Sequence, residues 1–405
     1  MMTQRVENES LHRARRTATV AAACALTLLA AQAAAPALAG PTEQAERIYE
    51  RLAGIQPSPD VLSKMVAAMG PAPVSSTGLL AAAVIATDPT TAPTFYNVTL
   101  KNWAMPWTNR NQSVFEPLND YVATVIGMVR DGVPFNTVLS ADLLYTVNSS
   151  GLPAVSPANN NHYATAEANG VNLAATLTAT TQSGAYGIPT AATAGVITTA
   201  AGAGAYFING TNRAMFRFTM INYMCNDMQT LMDTSQPTDR IRQDVARSPG
   251  GDSRIFLNNC VGCHSGMDPM AQAFAYYNFD VPSNQLVYTP GTTQAKYHIN
   301  TTNFPQGFVT PDDSWSNRWR TGPNSVFIWS SSGGSGNGAK SWGQEIAGSQ
   351  QFAACKVQQV FQAVCFRTPT STADVNLAGQ LTTQFQSGYN LRNVFEQVAA
   401  SCAGT

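Results

Sequence analysis

Two cysteines and a histidine stand within five residues of this chain, at Cys260, Cys263 and His264, in the order CxxCH. The chain has 405 residues, of which seven are cysteine and four are histidine. With that composition the number of such matches expected by chance is about 0.001. The pattern therefore indicates a function. Cysteines at this spacing occur in covalent haem attachment sites, structural zinc sites, redox dithiols and simple disulfides.

The rest of the chain favours haem attachment over the other three sites. A structural zinc site needs two further ligands, and no second CxxC or histidine pair is spaced to supply them. A redox dithiol is expected to follow a buried strand, whereas residues 250–259 include only three apolar residues. In haem attachment, the two cysteines bond to the two vinyl groups and the adjacent histidine binds the iron. We therefore predict one covalently bound haem c, attached through Cys260 and Cys263, with His264 as the proximal iron ligand.

The second axial ligand of the iron is left open by the sequence. Met267 stands three residues after His264, on the same side of the haem, and no methionine follows Met270. His298 is the one histidine after the motif, and as the candidate distal ligand it would give a bis-histidine site. The alternatives are an open site, a non-standard ligand, or one of three upstream residues, His162, Met224 and Met228.

Residues around the motif have predicted supporting roles. Asp268 and Pro269 fit the N-cap and the first position of a new helix, and a proton-relay role is the alternative for Asp268. Buried haem propionates need cations or hydrogen-bond donors. The candidates are Arg240, Arg242, Arg247, Arg254, Tyr297, Trp315 and Trp319. For the arginines, an ordinary surface position is the alternative.

The first 39 residues have the pattern of a secretory signal peptide. Cationic residues from His12 to Arg16 precede an Ala/Leu/Val run, and Ala37 to Ala39 offers small residues for cleavage. An uncleaved N-terminal anchor is the alternative. No later stretch is long and apolar enough to predict a membrane span. We expect a periplasmic or secreted protein without an integral membrane segment after cleavage, in the compartment where haem c is attached.

Charge and cysteine content agree with export. The formal net charge of −1, with few charged residues, argues against nucleic acid or an anionic membrane as a partner. Apart from Cys24 in the signal peptide and the CxxC pair, Cys225, Cys355, Cys365 and Cys402 could form two disulfides. Cys355 and Cys365 lie in one predicted helix, about 15 Å apart at 1.5 Å per residue, too far to bond to each other. Each is therefore predicted to pair with Cys225 or Cys402, or to stay a buried thiol.

Apolar periodicity predicts a mainly α protein. The predicted helices are a pair within 43–69 that breaks at Pro57–Pro59, with Asp60 as a cap, and helices over 117–130, 212–232, 342–366 and 375–400. Ala, Thr, Gly and Asn dominate 151–205, which predicts a loop or linker in which His162 is exposed. The predicted domains are a signal peptide at 1–39, a helical N-terminal domain at 40–150, that linker at 151–205, and a helical cytochrome c-like haem domain with long irregular loops at 206–405.

Several stretches resemble a known family. They are RIYERLAGIQPSP at 47–59, the stretch 194–225, CVGCHSGMDPMAQAFAYYNFD at 260–280, and the stretch 352–369. Together they resemble the planctomycete-type secreted c-type cytochrome modules, whose CxxCH is followed by Met or Ile, Asp and Pro. The resemblance implies haem at the CxxCH residues and includes Asp268, Pro269 and Asp280 in the motif, but it implies no substrate. The family's glycine after the proline is replaced here by Ala271 or Gln272.

The predicted function is an extracytoplasmic single-haem cytochrome that exchanges electrons with a redox partner protein, favoured over a catalytic haem enzyme. One alternative is a haem-dependent oxygenase or peroxidase acting on an organic or polymeric substrate. Comparable secreted enzymes have two CxxCH motifs, and this chain has one. A further alternative is a secreted scaffold or binding protein with a haem domain attached, because the chain is much longer than a minimal single-haem domain.

Overall fold

The computed structural model of the protein describes residues 39–246, 248–302 and 304–403. The predicted signal peptide therefore lies outside the described residues, except for Ala39. Within these ranges, no helix combines the length and the apolar character that a bilayer span requires.

Helices make up most of the regular structure, which confirms the prediction of a mainly α protein. The helices of seven or more residues are α1 (Pro41–Ala53), α2 (Pro59–Met69), α3 (Ser76–Ile85), α4 (Asp120–Asp131), α5 (Asn161–Ala168), α6 (Ala200–Tyr206), α7 (Arg213–Met224), α8 (Ser253–Asn259), α9 (Val261–Ala271), α10 (Gly338–Ala347), α11 (Gln350–Cys365), α12 (Thr372–Gln386) and α13 (Leu391–Cys402). Shorter helical segments lie at Phe95–Leu100, Lys101–Ala104, Met105–Thr108, Phe135–Thr137, Leu173–Thr176, Gln182–Tyr186, Gly195–Thr198, Pro249–Gly251, Gln272–Phe274, Ala295–Tyr297, Arg318–Arg320 and Pro323–Phe327.

The strands in the described ranges are short and form separate antiparallel pairs. The pairs are β1 (Leu144–Val147) with β2 (Leu177–Thr180), β3 (Tyr277–Asp280) with β4 (Gln285–Tyr288), and β5 (Ser314–Ser316) with β6 (Ser335–Asn337). In β3 and β4, Tyr277 is opposite Tyr288, and the connecting loop includes Asn284 at a φ of 54°. Such small sheets brace neighbouring helices and form no layer of their own.

The predicted helix pair near the N-terminus is confirmed as α1 and α2. Ile48 and Leu52 of α1 are fully buried, and α1 ends where Gly54 takes a φ of 74°, a conformation that glycine adopts without strain. The prediction that Asp60 caps the second helix is wrong. The side chain of Ser58 caps α2 by accepting from the Val61 N–H, and Asp60 forms an ion pair with Lys64 one turn along.

Several predicted helices are shorter than expected, because caps interrupt them. The helix predicted over 212–232 ends at Met224, since Cys225 takes a φ of 54°. The helix predicted over 342–366 is α10 followed by α11, and the Ser349 side chain caps α11 by accepting from the Phe352 N–H. The closing helix predicted over 375–400 is likewise divided into α12 and α13, with Asn390 as the cap of α13.

Helices from the two ends of the chain share one hydrophobic core. Helix α13 packs against α1 and α3, and α11 packs against α12 and α13. The same core includes Met267 and Met270 of α9. The helix that contains the CxxCH motif is thus anchored on its inner side by apolar packing. The predicted division of the chain into an N-terminal domain and a haem domain stays a prediction.

The stretch 151–205 contains α5, β2 and the start of α6. Its His162 is buried, and the prediction of an exposed loop histidine is wrong. The Nε2 atom of His162 accepts from the Val147 N–H at 3.0 Å, and Nδ1 lies 2.8 Å from the Pro153 carbonyl. One ring nitrogen therefore joins α5 to β1 and the other contacts the loop at Pro153, which removes His162 from the candidate iron ligands.

Two disulfides connect the helices of the C-terminal half. Cys225 at the end of α7 bonds to Cys355 in α11, and Cys365 at the end of α11 bonds to Cys402 in α13, with Cα–Cα distances of 5.4 and 5.8 Å. The expectation that Cys355 and Cys365 pair with other cysteines is confirmed. Because Cys365 is the last residue of α11 and Cys355 lies ten residues before it, the two bonds hold that helix at two separate points.

Candidate functional site

The CxxCH motif lies at a junction between two helices. The side chain of Asp252 caps α8 by accepting from the Arg254 N–H, and α8 ends at Asn259. Cys260 then occupies the N-cap position of α9, so Cys263 and His264 lie in the first turn of that helix. Because the cysteines are separated by about one helical turn, both thiols are on the same side of α9. A helix, not a strand, precedes them.

The two cysteines of the motif differ from the other four described cysteines because they are not bonded to sulfur. Both are free and half-buried. The Cys263 Sγ contacts the Met228 carbonyl oxygen at 3.4 Å, and burial raises the pKa of this thiol. The motif therefore presents two thiols beside one histidine, in a chain whose other described cysteines are consumed in disulfides.

His264 is held by a carboxylate on the next turn of its own helix. Its Nδ1 lies 3.2 Å from Asp268 Oδ1, and the His264 side chain is 19% exposed. With Nδ1 engaged, Nε2 is the ring nitrogen that remains to bind a metal. Histidine ligands in metalloproteins are commonly oriented in this way through their second nitrogen.

The predicted N-cap role of Asp268 is wrong. Helix α9 continues through Asp268 and Pro269 to Ala271, so Asp268 lies in the helix interior, where no free N–H needs a cap. The carboxylate is completely buried. It accepts from Nε and Nη2 of Arg213, each at 2.8 Å, and from the backbone N–H of Arg242 at 3.2 Å. Asp268 is therefore a buried anion that links α9 to α7.

A second carboxylate extends this contact into a network of four charged residues. Asp244 accepts from Arg213 Nη2 at 2.9 Å and from Arg242 Nη2 at 3.0 Å. The Arg242 guanidinium also lies 4.2 Å from the centre of the Tyr297 ring. The charges of the two arginines thus balance those of the two aspartates, so these four residues have no net charge. We call Arg213, Arg242, Asp244 and Asp268 the charge network.

Electrostatics favours the charged forms within this network. Burial raises the pKa of the Asp268 carboxyl, but the charge of Arg213 and the contact with His264 lower it more, so it lies far below its usual range. Burial lowers the pKa of Arg213, but Asp268 and Asp244 raise it above its ordinary value. The Asp268 side chain next to His264 is therefore a carboxylate at neutral pH.

Helix α9 approaches the core closely at Gly266. A Cβ atom at this position would lie 2.0 Å from the indole Nε1 of Trp319, so no other residue fits without displacing that ring. Trp319 is fully buried, and its Nε1 has no hydrogen-bond partner among the residues that the structure describes. The tryptophan thus packs against the backbone of α9 as part of the core, and Met267, on the same helix, is buried in the core as well.

Among the described residues predicted to bind haem propionates, all except Trp319 have other polar partners. Tyr297 donates to the Ala271 carbonyl, and Trp315 donates to Ser341 Oγ. Arg254 pairs with Asp252 at the surface, and Arg240 stacks on Phe308 with a weak contact to Gln272. Arg242 belongs to the charge network. Arg247 lies outside the described residues. The predicted propionate contacts stay predictions.

The candidate distal ligands are placed differently from one another. Met224 is fully buried, and its sulfur accepts from Ser349 Oγ at 3.4 Å. Met228 lies beside Cys263, which contacts its carbonyl. His298 is half-buried after the short helix Ala295–Tyr297, and no hydrogen bond joins it to His264 where the chain is described. His298 as a distal ligand therefore stays a prediction.

The residues at the motif fit a covalently bound haem. Both thiols are free for thioether bonds, and His264 has its Nε2 left for the iron. Apolar side chains are exposed nearby, with Met232 47% exposed next to Gly262 and Leu257 56% exposed three residues before Cys260. A large apolar macrocycle needs such a surface. Among the described residues, no group of three or more histidine, cysteine, aspartate or glutamate side chains is arranged to hold a metal ion.

Comparisons of this chain with protein-family models, with curated proteins and with solved structures found no match.

Arg213 and Asp244 are the functional candidates that the sequence did not reveal. They stand 55 and 24 residues before Asp268, in segments that carry no metal or haem motif. One signal was present, since Arg213 begins a helix of mostly apolar residues in a chain with few charges. A charge in such a place usually has a buried partner.

Proposed function

We propose that the protein is an extracytoplasmic single-haem c-type cytochrome that exchanges electrons with a redox partner protein. The observation that carries this proposal is the arrangement on α9. Two free thiols and a histidine share its first turn, and a buried carboxylate engages the Nδ1 atom of that histidine. This donor set suits an iron porphyrin held by two thioether bonds and one imidazole.

The chain's own residues have distinct roles in this proposal. Cys260 and Cys263 would tether the macrocycle, and His264 would bind the iron through Nε2. Met232 and Leu257 would supply apolar contact beside it. The haem itself supplies a one-electron iron couple. We further propose that residues 206–405 form the cytochrome c-like domain, and that the chain is a member of the planctomycete-type secreted cytochrome modules that its motifs resemble.

The disulfides support a location outside the cytoplasm. Disulfides persist in oxidising compartments, and two of them connect the helices of this chain. Attachment of haem c also takes place there. A periplasmic or secreted protein is therefore the location that we propose, with a signal peptide at residues 1–39.

One contact favours the second candidate function, a haem-dependent oxygenase or peroxidase. A carboxylate on the proximal histidine raises the basicity of that ligand, which stabilises the higher oxidation states of iron that such enzymes use. The Asp268 carboxylate is in this position. Its charge is balanced by Arg213, however, which limits the effect, and the chain has one CxxCH motif.

The test is to produce the protein in a periplasm with a haem c maturation system and to record its spectra. The proposal predicts haem that stays with the polypeptide after denaturation, and a low-spin, six-coordinate iron in the visible and EPR spectra. The double variant Cys260→Ser with Cys263→Ser is the control and should lose covalent haem.

Other outcomes separate the alternatives. A high-spin ferric iron that binds cyanide or peroxide rapidly would favour the haem enzyme over the electron carrier. Absence of covalent haem from a folded wild-type protein would reject both and leave a scaffold or binding protein. Replacement of His298 by Ala with no spectral change would remove His298 as the distal ligand.

A further inference from the structure

The contact between His264 and Asp268 has an unusual setting. A carboxylate next to a histidine on a helix surface is normally solvated, and its charge is screened by water. Asp268 is instead completely buried, and the described contacts of its two oxygens are with Arg213, the Arg242 backbone and His264. The carboxylate therefore cannot rotate away from the imidazole without breaking its bonds to Arg213.

The charge network also determines which ring nitrogen of His264 carries the hydrogen. An anionic carboxylate accepts hydrogen bonds and donates none, so the Nδ1 atom that faces Asp268 must carry the hydrogen. A neutral imidazole with hydrogen on Nδ1 has its lone pair on Nε2. The geometry thus selects the tautomer that can bind iron, before any haem is attached.

We propose that Asp268, held by Arg213, is the positioning residue of His264. It directs Nε2 towards the iron, raises the electron density on that atom, and so favours the oxidised state of the haem. This inference rests on the proposed function, since it concerns the proximal ligand of the same haem. It assigns to Arg213 and Asp244 the task of holding Asp268 in place and setting how much of its charge reaches the imidazole.

The test is the reduction potential of the haem-loaded variant Asp268→Asn. A neutral amide accepts a weaker hydrogen bond from Nδ1, so Nε2 becomes a weaker donor and the reduced haem is favoured. We expect the reduction equilibrium with a redox mediator to shift about tenfold towards the reduced state, which is about 59 mV for a one-electron couple. The matched control is Asp252→Asn, which removes an exposed carboxylate near the motif and should shift the equilibrium less than twofold.

A double variant separates the hydrogen bond from long-range charge. Asp268→Asn combined with Arg213→Gln removes one negative and one positive charge, so their distant effects on the iron largely cancel. The charge network of the double variant keeps one cation and one anion, without the excess positive charge of the single variant. The double variant can therefore be measured even if the single variant does not fold. We expect the double variant to keep a shift towards the reduced state, together with altered EPR g-values that report the changed imidazole.

The outcomes distinguish this inference from the proposed function. If the wild-type protein carries no covalent haem, the proposed function fails. If haem is attached but Asp268→Asn shifts the potential no more than Asp252→Asn, the inference alone fails. A double variant with wild-type potential and g-values would show that charge alone was responsible, and would also overturn the assignment. Loss of thermal stability without a shift in potential would leave Asp268 with a purely structural role, contrary to the proposal.

Discussion

Two cations inside this protein, the half-buried Arg213 and the fully buried Lys356, have opposite surroundings. Arg213 lies between the carboxylates of Asp268 and Asp244. Lys356 on α11 is fully buried, and its Nζ donates to the Asn222 carbonyl and to Gln359 Oε1. It also lies 3.8 Å from the centre of the Trp107 ring, a favourable place for a cation.

The two environments move the pKa values in opposite directions. Burial lowers the pKa of Lys356 well below its ordinary value, because no carboxylate among the described residues offsets its desolvation. The neighbouring aspartates raise the pKa of Arg213 in spite of its burial. Burial alone therefore does not determine whether a cation stabilises the fold. The charge of its neighbours determines it. Three predictions test this difference.

The largest expected effect is that of Arg213→Met on stability. Removal of the guanidinium leaves two buried carboxylates with much less compensation, and breaking a buried ion pair typically costs about 3–5 kcal/mol. Urea unfolding followed by circular dichroism measures the loss. Arg217, one turn along α7, is a matched control because it pairs with Asp227 while 49% exposed. Arg217→Met should cost less than about 1 kcal/mol, and equal losses from the two variants would refute the distinction.

A smaller effect is expected from Lys356→Met, and its sign is opposite. The methionine fills the space between the aromatic rings without a charge to desolvate, and the Asn222 carbonyl keeps the Gln359 donor at 3.0 Å. We expect the variant to be more stable than the wild type at pH 7, because the charge whose desolvation opposes folding is gone. Lys64→Met, at a side chain 56% exposed, is the control and should be close to neutral. A loss of stability in Lys356→Met would mean that its hydrogen bonds and ring contacts outweigh desolvation.

The smallest expected effect is on the pH dependence of stability. Burial raises the pKa of Asp244, but the charges of Arg242 and Arg213 lower it below its ordinary value. A depressed carboxyl pKa contributes stability that is present above the unfolded value of about 3.9 and is lost as pH falls through the folded value. Asp244→Asn should therefore be less stable than the wild type at pH 7, and its stability should fall less steeply below pH 4. Parallel curves for the two proteins from pH 5 to pH 2 would contradict this assignment.

Much of the helical structure could be predicted from local patterns. Pro57, Ser58 and Pro59 separate α1 from α2, as expected from the restricted backbone of proline. The spacing of Cys355 and Cys365 excluded a bond between them, which the two observed disulfides confirm. Helix ends were less predictable. The end of α7 depends on Cys225 and its disulfide to α11, which is a contact with a distant part of the chain.

Asp268 illustrates where local patterns mislead. The dipeptide Asp268-Pro269 is typical of a helix start, yet α9 passes through it. The interactions of the aspartate with Arg213 and His264 replace the capping contact that the pattern predicted. Likewise, the polar neighbours of His162 predicted an exposed loop, whereas its ring is buried between β1 and the Pro153 carbonyl.

Three features were accessible from the amino-acid sequence alone. They are the helical character, the exclusion of a bond between Cys355 and Cys365, and the motif formed by Cys260, Cys263 and His264. These features depend on residues close together in the chain, where spacing fixes geometry. Only the tertiary structure decided that Arg213 and Asp244 meet Asp268, and that Lys356 is enclosed by aromatic rings. Those contacts join residues far apart in sequence, and a buried charge is tolerated only where the packed core brings a suitable partner to it.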